Sequence, residues 1–195
     1  MRLVEPGRWV SRFATLLDAC VQVPVALTDT LLRLAEYELY RPLWSARILE
    51  EAQRAVTAIH PEVDPGRISR RFQQMDAAFP DASLDGWQPL QGSLELPDAD
   101  DRHVLAAAIA GRADVIVTAN VRDFPAAVLR EYNLEALSPD QFLLDHLDLA
   151  PGMVVRAVRE QADATEQPAL TAEALLGILD RCGVPQFAAE LSRHV

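Results

Sequence analysis

Five carboxylates stand in this 195-residue chain where local structure does not ask for an acid: Asp18, one of Glu50 and Glu51, Asp98, Asp101 and Asp123. Asp18 ends the apolar run FATLL (13–17), which reads as a short buried strand. The carboxyl edge of an open parallel sheet is where ligands bind. Asp123 follows the β-branched run DVIVT (114–118) by five residues, so it reaches the same edge. Asp98 and Asp101 are three apart at an expected helix start, which predicts a shared face. Glu50 and Glu51 are mid-helix neighbours, and only one of them faces inward.

Each acid also has a plainer use. Asp98, Asp100 and Asp101 would complement a helix dipole, Asp123 would cap the following helix, and Glu50 or Glu51 would belong to a solvated face. Asp18 resists this treatment, because a carboxylate ending a buried strand is costly unless something pairs it. All 18 basic residues are Arg and none is Lys. Taken jointly, mutually repelling carboxylates call for a cation, and oxygen ligands select a hard one, Mg²⁺ or Mn²⁺.

The elements that must position these acids alternate between strand and helix. After the first strand, helices are expected over 27–40, 45–59 and 67–78, with turn-rich sequence between 60 and 92. Pro97 is expected to open a helix that stops at Gly111. The strand at 114–118, a short helix at 125–132 and a strand at 134–137 follow. Ser138-Pro139-Asp140-Gln141 then starts another helix, with Ser as cap and Gln three residues on. This order predicts an α/β sandwich with a mainly parallel sheet. Past Pro151-Gly152 three short helices succeed one another without a strand, a helical extension over 150–195.

Several chemistries are excluded. Without Lys there is no GxxxxGK phosphate loop and no Schiff-base amine, and GxGxxG is absent too. Cys20 and Cys182 are far apart and in no ligand spacing, which predicts a reducing compartment. The start MRLVEPGRWVSRF carries no secretory pattern, and the longest apolar run (104–110) is too short for a bilayer, so a soluble cytoplasmic protein is expected. His60, His103, His146 and His194 lack metal spacing and read as structural or surface residues, Cys20 as a small buried one, and Trp9, Trp44 and Trp87 as core or interface anchors.

The segments TLLDAC, WSARILEEAQRAV, LPDADDRHVLAAAIAGRADVIVTANVRDF and SPDQFL resemble PIN-domain ribonucleases, in particular VapC-type toxins of bacterial type II toxin–antitoxin pairs. The likeness covers residues 12–147, weakly over 60–92, and the branch with a helical C-terminal extension matches best. It implies a PIN-like α/β/α sandwich and an Mg²⁺-dependent (or Mn²⁺-dependent) endoribonuclease, with water attacking phosphorus in line. The family's acids fall on Asp18, Glu51, Asp101 and Asp123, with Asp98 a companion ligand and Thr118 and Asn120 in support. Many relatives carry Asp where this chain has Asn120, a departure that leans toward a catalytically silent module. The four family acids lean against one. A metal-dependent phosphatase would also cluster Asp, but Asp18-Ala19-Cys20 offers no DxD pair.

The net charge of −11 opposes polyanion binding, so RNA contact must be local. Residues 72–147 hold 4 Arg and 13 acids, whereas 41–71 hold 6 Arg and 4 acids and form the one basic stretch. Arg41, Arg47, Arg54, Arg67, Arg70 and Arg71 are therefore the expected phosphate contacts. The resemblance further implies a cognate antitoxin that sets a basic side chain among the carboxylates. Leu31, Leu34 and Leu39 would suit its docking or a homodimer.

Overall fold

The computed structural model describes residues 13–165 and 169–194; Trp9 lies outside them. The strand β1 (Ala14–Leu17) is buried along its whole length and leads through Asp18 into one helical turn, α1 (Ala19–Gln22). Helix α2 (Val25–Glu36) follows, then β2 (Arg41–Ser45), α3 (Ala46–Ile59), α4 (Pro65–Ala78), β3 (Ser83–Leu84) and α5 (Gln88–Gln91). Helix α6 (Arg102–Ala110) leads into β4 (Val115–Val117), and α7 (Ala126–Leu129) into β5 (Glu135–Leu137). Four further helices close the described chain: α8 (Pro139–Leu149), α9 (Pro151–Asp163), α10 (Ala172–Arg181) and α11 (Pro185–Leu191).

The strand pairings of the described five-stranded sheet are parallel, in the order β3-β2-β1-β4-β5. The expected α/β class with a parallel sheet is what the chain adopts. Its central strands carry ATLL and VIV, the unbroken apolar runs that a strand buried on both faces requires. Trp44 and Trp87 are core residues, as expected. The Trp44 indole N–H donates to Asp76 at 2.9 Å, which satisfies its one donor.

Three expectations need correction. Residues 41–45 form a strand, β2, which the pattern missed because Pro42 removes a ladder donor. Arg41 N–H bonds Phe13 O at 2.8 Å on the β1 side, so the N–H that Pro42 lacks belongs to the β3 side. There, pairing begins only at Trp44, and nothing is lost. Helix α2 stops at Glu36 rather than reaching Tyr40, since Glu38 adopts a φ of 58° and turns the chain into β2. Helix α6 starts at Arg102, not at Pro97. Asp98 Oδ1 accepts the Asp100 N–H at 2.8 Å, a local turn that competes with helix. Asp98 and Asp101 thus do not share a helical face.

The C-terminal helices are tied to the sheet-bearing part by buried polar contacts. Thr30 Oγ1 donates to Gln161 Oε1 at 2.7 Å, and Gln161 Nε2 donates to Ala26 O at 2.9 Å, joining α9 to α2. The buried Asp140 carboxylate accepts the N–H groups of Gln186 and Phe187 at the start of α11 (3.2 and 2.8 Å). Leu31 and Leu34, expected to dock a partner, are fully buried on α2, which packs against β2, α9 and α10. Leu39 is half-buried. No helix among the described residues is long and apolar enough to cross a membrane.

Candidate active site

Asp18 sits where β1 ends and α1 begins, 6 % exposed. Its backbone N–H bonds Val117 O at 3.1 Å, so the end of β1 is registered against the end of β4. Oδ1 accepts the Ala19 N–H at 2.6 Å. Oδ2 accepts the Thr118 hydroxyl at 2.7 Å and the Cys20 thiol at 3.1 Å. Thr118 Oγ1 in turn accepts the Asn120 N–H at 3.0 Å, which aims its own proton at Asp18. Burial, and then the charge of Asp18, push the Cys20 thiol up to about 12. Cys20 is therefore a hydrogen-bond donor at this edge and no thiolate nucleophile.

Asp101 and Asp123 lack the structural duties that would explain them away. Asp101 stands at the start of α6 without a side-chain capping bond. Asp123 lies in a short 3-10 turn, and the cap position of α7 belongs to Pro125. Burial first, then the charges of Asp18, Asp98, Asp123 and Glu51, push the Asp101 carboxyl up from 3.8 to about 6. The charges of the other four predicted acids are thus felt at Asp101. Glu50 is exposed, and Glu51 is the member of that pair turned inward.

Glu51 differs from the other four. Its Oε1 meets Arg47 Nε at 3.0 Å and Arg54 Nη2 at 3.9 Å, and its Oε2 meets His103 Nε2 at 3.0 Å. Among the described residues no arginine or histidine forms an ion pair with Asp18, Asp98, Asp101 or Asp123. Four carboxylates without cationic side chains form a set of hard oxygen donors, a chemistry that fits Mg²⁺ or Mn²⁺. Among the described residues no three acidic, histidine or cysteine side chains converge into a finished ligand cluster. The donors are of the right kind but are not drawn together.

The six arginines separate. Arg47 and Arg54 flank Glu51 on α3. Arg67 and Arg70 are exposed on α4. Arg71 is committed to structure: it donates to Gln22 O (2.8 Å), Val23 O (3.3 Å) and Thr28 Oγ1 (2.9 Å), and lies over the Phe72 ring. It closes the carbonyl end of α1, the turn that Asp18 opens. Arg41 begins β2 opposite Ala14, about 13 Å along the sheet from Asp18, and bonds Gly111 O. Neither is placed to meet a phosphate at the acidic edge. Cys20 and His103 touch these acids although sequence reasoning gave them only a structural part; an imidazole inside the apolar run HVLAAA was the one available signal.

A family model described as PIN domain matches residues 14–122, more than half of the chain. The chain belongs to the PIN-domain family. A second model, the VapC50 C-terminal domain, matches residues 139–193 of this PIN-domain protein, from α8 onward. The chain is 47% identical over 93 residues to a curated protein of Mycobacterium tuberculosis named "Putative ribonuclease VapC50". That match takes in 48% of this PIN-domain chain and 54% of the relative, so the chain spans about half the length of the curated relative it matches. No solved structure matches.

Proposed function

We propose that this PIN-domain protein is a metal-dependent endoribonuclease and the toxin of a type II toxin–antitoxin pair. The observation that carries the reading is Asp18, a buried carboxylate at the carboxyl end of β1, registered against the end of β4 and with no cationic side chain paired to it among the described residues. Its likeness to a protein named as a VapC ribonuclease adds support. Asp18, Asp98, Asp101 and Asp123 would hold the cation, with Glu51 completing the set. When bound, Mg²⁺ or Mn²⁺ supplies charge neutralisation at the scissile phosphate and activates water for in-line attack.

The chain's own groups do the rest. Thr118 and Cys20 donate to Oδ2 of Asp18 and Ala19 to Oδ1, which fixes the carboxylate and leaves Oδ1 a further lone pair. Asn120 orients the Thr118 hydroxyl through its backbone N–H. Arg47 and Arg54, beside the carboxylates, and Arg67 and Arg70 on α4 supply positive charge for the RNA backbone in a chain that otherwise repels it. The same acidic mouth suits a basic side chain of an antitoxin. A cytoplasmic protein is consistent with both partners.

The deciding experiment is RNA cleavage with and without Mg²⁺, the parent beside Asp18→Asn. Cleavage by the parent that needs the cation and vanishes in Asp18→Asn is the expected result. Equal rates for the two proteins would reject the mechanism. A silent module is the second reading, favoured by Asn120, and it predicts cation binding without cleavage.

A further inference from the structure

His103 is a buried side chain at this edge to which the proposed chemistry gives no part. It lies on the first turn of α6, two residues past Asp101, and is 2 % exposed. Nε2 stands 3.0 Å from Glu51 Oε2, whereas Nδ1 is buried with no hydrogen-bond partner. The ring is backed by Trp87, itself buried, with centroids 6.0 Å apart. A proton on Nε2 makes the contact with Glu51 a hydrogen bond. The same proton on Nδ1 would set a lone pair against a carboxylate and bury an N–H without an acceptor. The geometry selects the neutral Nε2–H form.

On its other side Glu51 is drawn toward Arg47 and Arg54, which lie on its own helix and are far more exposed than His103. Without the imidazole, only those partners remain. We propose that His103 is a positioning residue: its Nε2–H holds the Glu51 carboxylate at the acidic edge and ties α3 to the start of α6, where Asp101 stands. The role rests on the nuclease reading for its purpose. A group that orients a ligand by hydrogen bonding tunes cation affinity without touching the ion.

The test uses the full chain and Mn²⁺ as probe. His103→Leu should weaken Mn²⁺ binding, measured by titration calorimetry, about tenfold, and His103→Gln, which restores an N–H near the Nε2 position, should recover most of that loss. In a Glu51→Gln background, His103→Leu should add less than about twofold, because both changes break one contact. In the cation-free protein, imidazole nitrogen shifts should report Nε2 protonated and Nδ1 bare. The proposal is overturned by unchanged binding in His103→Leu, by His103→Gln binding no better than His103→Leu, by full additivity, or by the opposite tautomer. A parent chain that binds no Mn²⁺ overturns the nuclease reading and this role with it. A parent that binds while His103→Leu binds equally overturns this role alone.

Discussion

The hydroxyl of Thr118 donates to Oδ2 of Asp18 at 2.7 Å, joining the ends of two adjacent strands through side chains that solvent barely reaches. Thr118→Val keeps the shape and removes the proton. It leaves Asp18 Oδ2 with the weak Cys20 thiol as donor and the Asn120 N–H without its acceptor. Urea unfolding should show a loss of about 1–3 kcal/mol, with Thr118→Ser close to the parent. A Thr118→Val protein as stable as the parent would show that the contact contributes nothing.

Asp101 makes cation-free stability depend on pH. Its folded pKa, about 6, lies above the ordinary 3.8. The folded chain therefore binds the proton more tightly than the unfolded one, and this contribution is complete below about pH 4. It is lost as pH rises through 6. The difference in Tm between parent and Asp101→Asn, measured without divalent cation, should accordingly grow in the variant's favour from pH 4 to 7. A flat difference would mean that the neighbouring acids do not act on Asp101.

Cation binding should reverse that cost. At pH 7, Mn²⁺ or Mg²⁺ should raise the parent's Tm, by the equivalent of about 2.7 kcal/mol at a hundredfold excess over Kd. The shift should shrink sharply in Asp18→Asn. Differential scanning calorimetry on both proteins checks this, and an equal shift in the two would remove Asp18 from the cation site.

The arginines should divide by function. Arg67→Gln with Arg70→Gln should flatten the salt dependence of RNA binding while leaving Tm unchanged, since both are exposed. Arg71→Gln should do the reverse: it strands the carbonyls of Gln22 and Val23 and costs about 1–3 kcal/mol of stability. A salt slope lowered by Arg71→Gln at unchanged Tm would reassign that residue to RNA.

The C-terminal helices should behave as a brace for α2. Gln161→Leu breaks the bonds to Thr30 and to Ala26 O and should cost about 1–3 kcal/mol in thermal or urea unfolding. No loss would mean that apolar packing alone holds α9 in place.

What was legible in the sequence were features written in consecutive residues. β1 and β4 are continuous apolar runs, and Asp18 ends one of them. β2 was hidden because a strand five residues long that holds a proline carries no periodicity. Asp98 looked helical because Pro and acids also start helices, while its turn with Asp100 depends on a side-chain bond. The bonds of Arg71 were hidden for a different reason: the carbonyls it binds lie 48 and 49 residues away, and nothing near Arg71 announces them. His103 and Glu51 are likewise joined across two helices.

The strand order has a consequence for the chain's synthesis. β1 pairs with β4, yet Asp18 and Thr118 are 100 residues apart. At ribosomal speeds of about 5–20 residues per second, roughly 5–20 s separate the emergence of the first acid from that of its hydroxyl partner. Throughout that interval the nascent polypeptide carries Asp18 but has no β4 to register it against. The acidic edge that this topology builds is therefore complete only once β4 has emerged, late in translation.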